Sequence, residues 1–195
     1  MSAVAVDVVL GSTSRYRAEL LRRILPAFRQ VGPDVDESRR DGEAPAGLAV
    51  RLARAKALAV AARCPGAIVI GSDQVAALDQ IVLGKPGSVE RARAQLSACS
   101  GRSVSFHTAL CVVDAAGAPR EALDTTVVRF RDLAGQEIDR YVAAEQPLDC
   151  AGSFKCEGLG ITLFERIQNE DPTALIGLPL IALCRLLRAS GLTLP

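Results

Sequence analysis

The spacing of apolar residues along the chain predicts strands that alternate with helices. A run at 3–10 alternates and then becomes continuously apolar, as expected of a buried first strand. Residues 14–25 carry apolar side chains at helical spacing, and Ser14 is suited to cap that helix. A polar loop rich in acidic residues, Arg, Gly and Pro follows at 32–45, and the Ala- and Leu-rich stretch 46–63 predicts a second helix.

The rest of the chain continues this alternation and adds a long hairpin. The apolar run 67–70 predicts a buried strand, and two β-type runs at 103–114 and 121–131 flank a turn that contains Gly and Pro. The other predicted segments are helices at 88–98 and 135–145, a Gly-rich loop at 148–162, and a last helix at 174–190 that Pro179 either kinks or restarts. This alternation indicates an α/β fold with a mixed sheet, and because no linker divides the chain we expect one domain over residues 1–195.

Composition narrows the classes of function. The 23 Lys and Arg against 22 Asp and Glu leave a net charge of +1, which does not favour binding to DNA or RNA. The longest uncharged apolar run, 172–184, is too short to span a bilayer, and Asp7 interrupts an N-terminal stretch that lacks the basic start of a signal peptide. A net charge near zero is still compatible with a local basic pocket for a small anion.

The six cysteines point to a reducing compartment. No CxxC occurs, and a chain with 49% apolar residues does not need disulfides to stabilise its core. We therefore interpret them as reduced thiols of a cytoplasmic protein. His107 is the only histidine, and together with the cysteine spacing this argues against a structural zinc site.

Residues 67–86 carry the clearest chemical signal. The apolar run stops at Gly71, and Asp73 follows just past the expected end of the strand, where open α/β sheets bind their ligands. Lys85 lies in a stiff Gly-Lys-Pro turn that suits it to contact an anion, and a strand-turn-strand excursion can bring it close to the acid. The pattern predicts metal-assisted chemistry on a phosphate, in which Asp73 binds metal or accepts a proton from water.

A hydroxyl-rich turn at 11–17 predicts a second part of the same site. A strand, the Gly-Ser-Thr-Ser turn and a helix start place backbone N–H groups and the helix dipole towards an anion. The hydroxyls of Ser12 and Ser14 add donors, and Arg17 can present a planar fork to a phosphate. The alternative is a capped helix with surface arginines, which this turn alone leaves open.

Further candidates are weaker when each is taken alone. Glu37 belongs to an acidic pair that could hold a divalent ion, but a solvated acidic loop is the default interpretation. Lys56 on the second helix is by default a solvated helical lysine. Lys155 and Glu157 lie in a Gly-flanked stretch that permits close approach of a ligand or forms an ordinary loop. The position of His107 within a strand-like run favours a packed or hydrogen-bonded ring over a catalytic role.

Taken together, these stretches resemble the Maf family of nucleoside triphosphate pyrophosphatases. The resemblance is carried, in order, by GSTSRYR at 11–17, VDE at 35–37, RAKA around Lys56, GSDQ at 71–74, GKP at 84–86, CAGSFKCEG at 150–158 and GLPL at 177–180. Relatives that act on dTTP and UTP typically carry Ala-Asp-Thr where this chain has Ser-Asp-Gln at 72–74. That triplet, with GSFKCEG and GITLFER, is similar to the subgroup that acts on 7-methyl-GTP.

The resemblance implies a fold, an activity and a set of roles. It implies an elongated α/β domain with a twisted mixed sheet flanked by helices, two lobes around a central cleft, and possible homodimers. The implied activity is hydrolysis to a monophosphate and pyrophosphate, with Mg²⁺ or Mn²⁺ as cofactor and a small nucleotide as partner. The implied catalytic residues are Asp73, Lys56, Lys85 and Glu37, with Asp73 and Glu37 holding metal. The implied substrate-binding residues are Ser12, Ser14 and Arg17 for phosphates, Tyr16, Gln74 and Glu157 for the base, and Lys155.

Several positions depart from the family pattern, and two other functions stay open. Ala18 replaces a frequent second Arg, Tyr16 stands where many subgroup members have Trp, and Val104 follows the SGR-type turn, so His107 should not inherit a family role. The alternatives are the same chemistry on dTTP, UTP or another noncanonical nucleotide, and a nucleotide-binding regulator of cell division. For a nucleoside triphosphate pyrophosphatase, the cellular role would be removal of modified nucleotides before their incorporation.

Overall fold

One mixed seven-stranded sheet flanked by five helices organises residues 6–195, which the computed structural model describes. The strands are β1 (Val8–Gly11), β2 (Arg29–Gln30), β3 (Ile68–Leu78), β4 (Ile81–Leu83), β5 (Ser103–Val113), β6 (Pro119–Phe130) and β7 (Phe164–Gln168). The helices are α1 (Arg15–Arg22), α2 (Pro45–Ala61), α3 (Val89–Cys99), α4 (Gly135–Glu145) and α5 (Leu180–Ala189). Short 3₁₀ turns lie at Ala151–Ser153, Leu159–Leu163 and Ala174–Ile176.

The order of strands confirms the predicted α/β fold with a mixed sheet. The strands follow the order β2-β1-β3-β5-β6-β7, and β4 pairs with β3 outside this path. β1 runs parallel to β2 and β3, whereas the β3–β5, β5–β6 and β6–β7 pairs are antiparallel. The predicted hairpin is the β5–β6 pair, which dominates the centre of the sheet.

β3 changes partners along one of its edges, and this change opens the sheet. Residues 68–71 pair with β1, and residues 76–78 pair with β4. The opposite edge stays paired with β5 from Val69 to Ala77. Among the residues that the structure describes, 72–75 therefore have no strand partner on the first edge. Asp73 lies in this gap.

Apolar clusters lie on both sides of the gap. The first half of β3 packs under α2 on one face and against α1 and α5 on the other. The second half of β3 and the start of β5 pack with α3 and α4. In this second core, edge-to-face contacts join four rings at centroid distances between 4.7 and 5.7 Å; the rings are Phe106, Phe130, Phe154 and Phe164. The first core consists of the clusters on the two faces of the first half of β3, and the gap separates it from the second core within one sheet.

Close packing of α2 on the sheet depends on a pair of glycines. Gly11 and Gly71 are register partners in β1 and β3. A Cβ added to Gly71 would lie 2.4 Å from the carbonyl oxygen of Ala53 and 2.6 Å from the amide nitrogen of Ala57. Both alanines are completely buried. The missing side chain lets the Ala-rich face of the helix lie directly on the strand, which places Lys56 above the gap.

The predicted end of the central strand is wrong. Asp73 lies within β3 rather than past its end, because β3 keeps its ladder with β5 beyond Gly71 and then gains β4. What ends at Gly71 is the pairing with β1. The acid is therefore exposed to the cavity by the departure of a neighbouring strand.

Two other boundaries are resolved or shortened. The last helix restarts at Pro179, as one of the two alternatives predicts: a 3₁₀ turn at Ala174–Ile176 precedes Gly177, whose φ is 121°, and α5 follows. The first strand begins at Val8, and the part of its prediction on residues 3–5 lies outside the described residues. The short edge strands β2 and β7 were not predicted, because two and five residues carry too little periodicity.

No helix in residues 6–195 is long and apolar enough to cross a membrane. The cytoplasmic location, the absence of nucleic-acid binding and homodimer formation stay predictions.

We expect Gly71→Ala to lower the free energy of unfolding by about 3 kcal/mol, because the added methyl group meets helix backbone that cannot turn aside. Urea unfolding monitored by circular dichroism measures this change. Gly47→Ala on α2 is the matched control, since nothing lies within 4 Å of its added Cβ. That variant should keep or raise stability by about 0.5–1 kcal/mol. Equal stability of the two variants would contradict the packing argument.

Candidate active site

A cavity of about 790 Å³ lies at the gap in the sheet, between the two cores. Its lining comes from the β1–α1 turn and the start of α1, the acidic loop, α2, β3, β4 and the turn after it, β5, and the 149–157 and 175–177 segments. All eleven residues singled out from the sequence line it, namely Ser12, Ser14, Tyr16, Arg17, Glu37, Lys56, Asp73, Gln74, Lys85, Lys155 and Glu157. Their chemical roles stay predictions, but the fold brings them to one place.

Lys56 joins the two candidate metal-binding carboxylates. Its Nζ lies 2.6 Å from Oδ1 of Asp73 and 2.8 Å from Oε1 of Glu37. The side chains of Lys56 and Asp73 are only 8% and 10% exposed, whereas that of Glu37 is 59% exposed. A buried ammonium requires a charged partner, so the pair with Asp73 satisfies both groups inside the protein. The default interpretation of Lys56 as a solvated helical lysine is therefore wrong.

A network of ion pairs and main-chain contacts holds the acidic loop that carries Glu37. Arg51 on α2 contacts Glu43, with 2.6 Å between Nε and Oε1, and also donates to the carbonyl of Ser38 at 2.8 Å. The hydrogen bonds from Arg51 lower the pKa of Glu43 to about 2. Asp36 accepts from the backbone N–H of Ser38 at 2.9 Å, which turns the chain just after Glu37. The carboxylate of Glu37 is thus held near Lys56.

The β1–α1 turn has the geometry of an anion site. The N-cap residue Ser14 accepts from the N–H of Arg17 at 3.4 Å, and Oγ of Ser12 accepts from the N–H of Ser14 at 3.1 Å. Gln30 on β2 donates to the carbonyl of Ser12 at 2.8 Å and so fixes the turn from behind. The N-terminus of α1 opens into the cavity, where its dipole and unpaired N–H groups favour negative charge.

Arg17 connects this turn to the segment before α5. Its Nε donates to the carbonyl of Gly177 at 2.9 Å. Burial lowers the pKa of Arg17, while the carboxylates of Asp73 and Glu37 act in the opposite direction. An arginine starts from such a high pKa that it stays charged, so the cavity holds a guanidinium beside the acids.

Gln74 is held by main-chain carbonyls that no sequence motif marks. Its Nε2 donates to the carbonyls of Ala174 and Leu175, each at 3.0 Å, and lies 3.0 Å from Oγ1 of Thr108. That hydroxyl itself donates to the carbonyl of Ala174 at 3.0 Å. Two carbonyls require the amide nitrogen on this side, which sets the orientation of the amide. Its Oε1, as an acceptor, is left for a ligand.

Another part of the cavity lining combines an aromatic ring with acidic side chains. The guanidinium of Arg15 lies over the ring of Tyr16, 4.8 Å from the centroid, so one face of that ring is already covered. The exposed carboxylates of Asp149 and Glu157 lie near Cys150, whose pKa is raised to about 12, first by burial and further by these charges. Cys150 therefore stays a thiol and fills space in the wall.

Lys155 is oriented away from the Asp73 side. Its Nζ donates to the carbonyl of Glu145 at the end of α4, at 3.1 Å, and its N–H donates to the hydroxyl of Tyr141 at 3.1 Å. Lys85 lines the cavity from the turn after β4. The two lysines thus flank the cavity separately from the Lys56 cluster.

Sequence reasoning missed Asp149, Thr108 and the carbonyls of the 174–177 segment. Asp149 lay in a predicted loop with no motif attached to it beyond its neighbour Cys150. The carbonyls could not be found from residue types, because every residue carries one. Only the fold shows which carbonyls point at Gln74 and Arg17.

The donor set near Asp73 suits a hard divalent cation bound together with a substrate. Within residues 6–195 no group of three or more His, Cys, Asp or Glu side chains forms a complete metal site. Asp73 and Glu37 supply carboxylate oxygens held by one ammonium. Mg²⁺ commonly binds through one or two carboxylates plus phosphate oxygens and water, which is what this pair permits.

Comparisons with known proteins agree with this geometry. A family model described as Maf-like protein matches residues 7–190. A 7-methyl-GTP pyrophosphatase of Xanthomonas campestris pv. campestris (strain 8004) is 58% identical over 188 residues, which cover 96% of this chain and 98% of the relative. The protein of the same name from Bordetella pertussis (strain Tohama I) is 54% identical over 193 residues, which cover 98% of this chain and 96% of the relative.

A solved structure supports the fold alone. A HAM1 protein from Coxiella burnetii aligns with a TM-score of 0.52 over 94% of this chain and 99% of that chain, at 18% identity.

We expect Lys56→Met to lower the free energy of unfolding by about 3 kcal/mol, because it leaves the buried Asp73 carboxylate without its partner. Adding Asp73→Asn should restore most of this loss, since a neutral amide is less costly to bury. Glu37→Gln removes the exposed partner of the same ammonium and should change stability by less than about 1 kcal/mol. Urea unfolding compares the variants. A double variant as unstable as Lys56→Met would show that the lysine acts through packing instead of charge.

Proposed function

The chain belongs to the Maf family, and on that premise we propose that it hydrolyses 7-methyl-GTP to 7-methyl-GMP and pyrophosphate. The observation that carries the proposal is the meeting, in one cavity, of the Asp73–Lys56–Glu37 cluster with the N-terminus of α1. The cluster supplies two carboxylates beside one ammonium group, and the helix N-terminus supplies an anion site. The relatives named 7-methyl-GTP pyrophosphatase support the choice of substrate.

The triphosphate is bound by groups from three sides of the cavity. The N–H groups and hydroxyls at the start of α1 receive phosphate oxygens. Arg17 presents the N–H groups that its bond to Gly177 leaves unused. Lys85 reaches the chain of phosphates from the turn after β4. Since these donors are held before substrate arrives, they stabilise the charge that grows on the departing pyrophosphate.

Asp73 accepts a proton from the attacking water. As the water oxygen bonds to the α-phosphorus, the bond from that phosphorus to the oxygen bridging the α and β phosphates breaks, and its electron pair leaves on pyrophosphate. Lys56 orients the carboxylate through the bond to Oδ1, so Oδ2 faces the water. The gap in the sheet gives water and substrate access to an acid that is otherwise buried.

Asp73 and Glu37 would hold a Mg²⁺ or Mn²⁺ ion together with phosphate oxygens. Such an ion neutralises phosphate charge and lowers the pKa of a water molecule bound to it. Lys56, which contacts both carboxylates, keeps them close together before the ion binds.

The base-binding end of the cavity suits a cationic purine. Methylation at N7 gives guanine a positive charge, and the face of Tyr16 that Arg15 leaves open can stack on it. Asp149 and Glu157 place two carboxylates in this part of the lining, beside Arg15 and Lys155, and Glu157 can accept hydrogen bonds from the guanine edge. Oε1 of Gln74 adds one acceptor, whereas its amide N–H groups already donate to the carbonyls of Ala174 and Leu175.

A substrate panel with product analysis tests the activity. We expect kcat/KM to be highest for 7-methyl-GTP among 7-methyl-GTP, GTP, dTTP and UTP in the presence of Mg²⁺ or Mn²⁺. ³¹P NMR should show pyrophosphate and a monophosphate, and Asp73→Asn should lower kcat by about 10²- to 10⁴-fold.

Each contrary result has a distinct meaning. Orthophosphate with a nucleoside diphosphate would contradict the choice of bond, and a preference for dTTP or UTP would support the other substrate class. Binding without turnover of any triphosphate would favour a regulatory protein.

Glu157→Gln tests the charge at the base-binding end. We expect the ratio of kcat/KM for 7-methyl-GTP over GTP to fall about fivefold, since an exposed charge pair contributes about 1 kcal/mol. Glu165→Gln on β7, outside the cavity lining, is the matched control and should leave the ratio unchanged. If both variants keep the wild-type ratio, Glu157 does not recognise the charge of the base.

A further inference from the structure

Asp171 is a buried carboxylate that does not line the cavity. It is 3% exposed and accepts four hydrogen bonds. Oδ1 accepts from the N–H of Thr173 at 3.1 Å and from its hydroxyl at 2.8 Å. Oδ2 accepts from the N–H groups of Ile181 at 2.7 Å and Ala182 at 3.3 Å. One side chain therefore ties the chain before the 174–177 segment to the start of the helix after it.

These bonds replace a cap that the helix lacks. The N-cap residue of α5 is Pro179, which has no side-chain acceptor for the first N–H groups. Asp171 satisfies two of them, and its negative charge is favourable at the positive end of the helix dipole. The hydroxyl of Thr173 extends the link, because its oxygen accepts from the N–H of Leu180 at 2.8 Å and lies 2.8 Å from both the carbonyl oxygen of Leu178 and Oδ1 of Asp171, which share its single proton.

The 174–177 segment, whose two ends are joined by these bonds, carries the carbonyls that orient the side chains of Gln74 and Arg17. The carbonyls of Ala174 and Leu175 fix the amide of Gln74. The carbonyl of Gly177 accepts from Nε of Arg17 at 2.9 Å and from Oγ of Ser72 at 3.2 Å. A shift of this short segment would therefore move a base contact and a phosphate contact together.

We propose that Asp171 is a positioning residue for the reaction: by anchoring both ends of the 174–177 segment, it holds the Gln74 amide and the Arg17 guanidinium in their substrate-binding orientations. The roles of Gln74 and Arg17 in this inference rest on the proposed function. The anchoring itself rests on six contacts that Asp171 and Thr173 make with each other, with Leu178 and with the start of α5, two of which share the proton of the Thr173 hydroxyl.

Asp171→Asn tests the anchoring with little change in shape. The side chain of Asn keeps one acceptor oxygen but replaces the other with an NH2 group, which can only donate, so the variant loses either the Thr173 contact or the cap of α5. We expect kcat/KM for 7-methyl-GTP to fall about tenfold to hundredfold, and the preference over GTP to fall with it, because small displacements of binding groups are costly. The matched control is Leu183→Ala, which removes a fully buried side chain of α5 without touching Asp171.

A purely structural role would give a different result. If Asp171 positions Gln74, adding Asp171→Asn to Gln74→Ala should not lower the base preference further. Leu183→Ala should reduce the melting temperature as much as Asp171→Asn does, yet keep the preference. An equal loss of preference in Leu183→Ala, or additive losses in the double variant, would overturn the proposal.

A readout without substrate separates this proposal from the proposed function. The side-chain amide signals of Gln74 in ¹H–¹⁵N spectra, assigned by their loss in Gln74→Ala, should shift in Asp171→Asn. If 7-methyl-GTP proves not to be the substrate but these signals shift, only the proposed function fails. If they do not shift, the anchoring fails. Should Asp171→Asn not fold, Thr173→Val, which removes the linking hydroxyl, is expected to shift the same signals, and unchanged signals there overturn the proposal.

Discussion

Contact between the α2 backbone and the sheet at Gly71 is the constraint on which the site depends. With no side chain at Gly71 and the small side chains of Ala53 and Ala57 on the helix at this point, the two elements lie so close that a Cβ on Gly71 would overlap the helix backbone. At that distance Lys56 on α2 reaches Asp73 on β3, two residues along the strand from the glycine. A larger separation would leave both charges buried and unpaired, an arrangement that costs several kcal/mol. Packing and electrostatics are therefore satisfied by the same contact.

The gap in the sheet converts this buried ion pair into a place where chemistry can occur. β1 stops pairing with β3 after Gly71, and β4 starts pairing with it only at Ala76. The β3 backbone at residues 72–75 is therefore open to the cavity along one edge. The stability of the strand does not depend on that edge, because β5 pairs with β3 along nearly its whole length. The two cores on either side then hold the walls of the cavity in place, with the start of α1 on one side and the 149–157 segment on the other.

Much of the fold and many of the site residues could be predicted from local signals. The β5–β6 hairpin and α4 follow from alternation and turn residues, and the geometry of proline limits the last helix to a kink or a restart at Pro179, of which the structure shows the restart. The strand end at Gly71 was mistaken because a glycine in a strand reads locally as a stop. In the structure Gly71 lies inside the strand and makes room for α2, which contacts it at Ala53 and Ala57.

By itself, the sequence determined the α/β alternation, the order of the motifs, and the residue types that a phosphate site needs. Only the tertiary structure decided that Lys56 is an ion-paired, buried group rather than a solvated one, that the Gln74 amide is held by the carbonyls of Ala174 and Leu175, and that Asp171 stands behind them. The physical reason is that side-chain identity is written along the chain, whereas burial, carbonyl direction and hydrogen-bond partners arise when distant segments pack together. A carboxylate becomes a cap, an ion-pair partner or a solvated charge according to what lies against it.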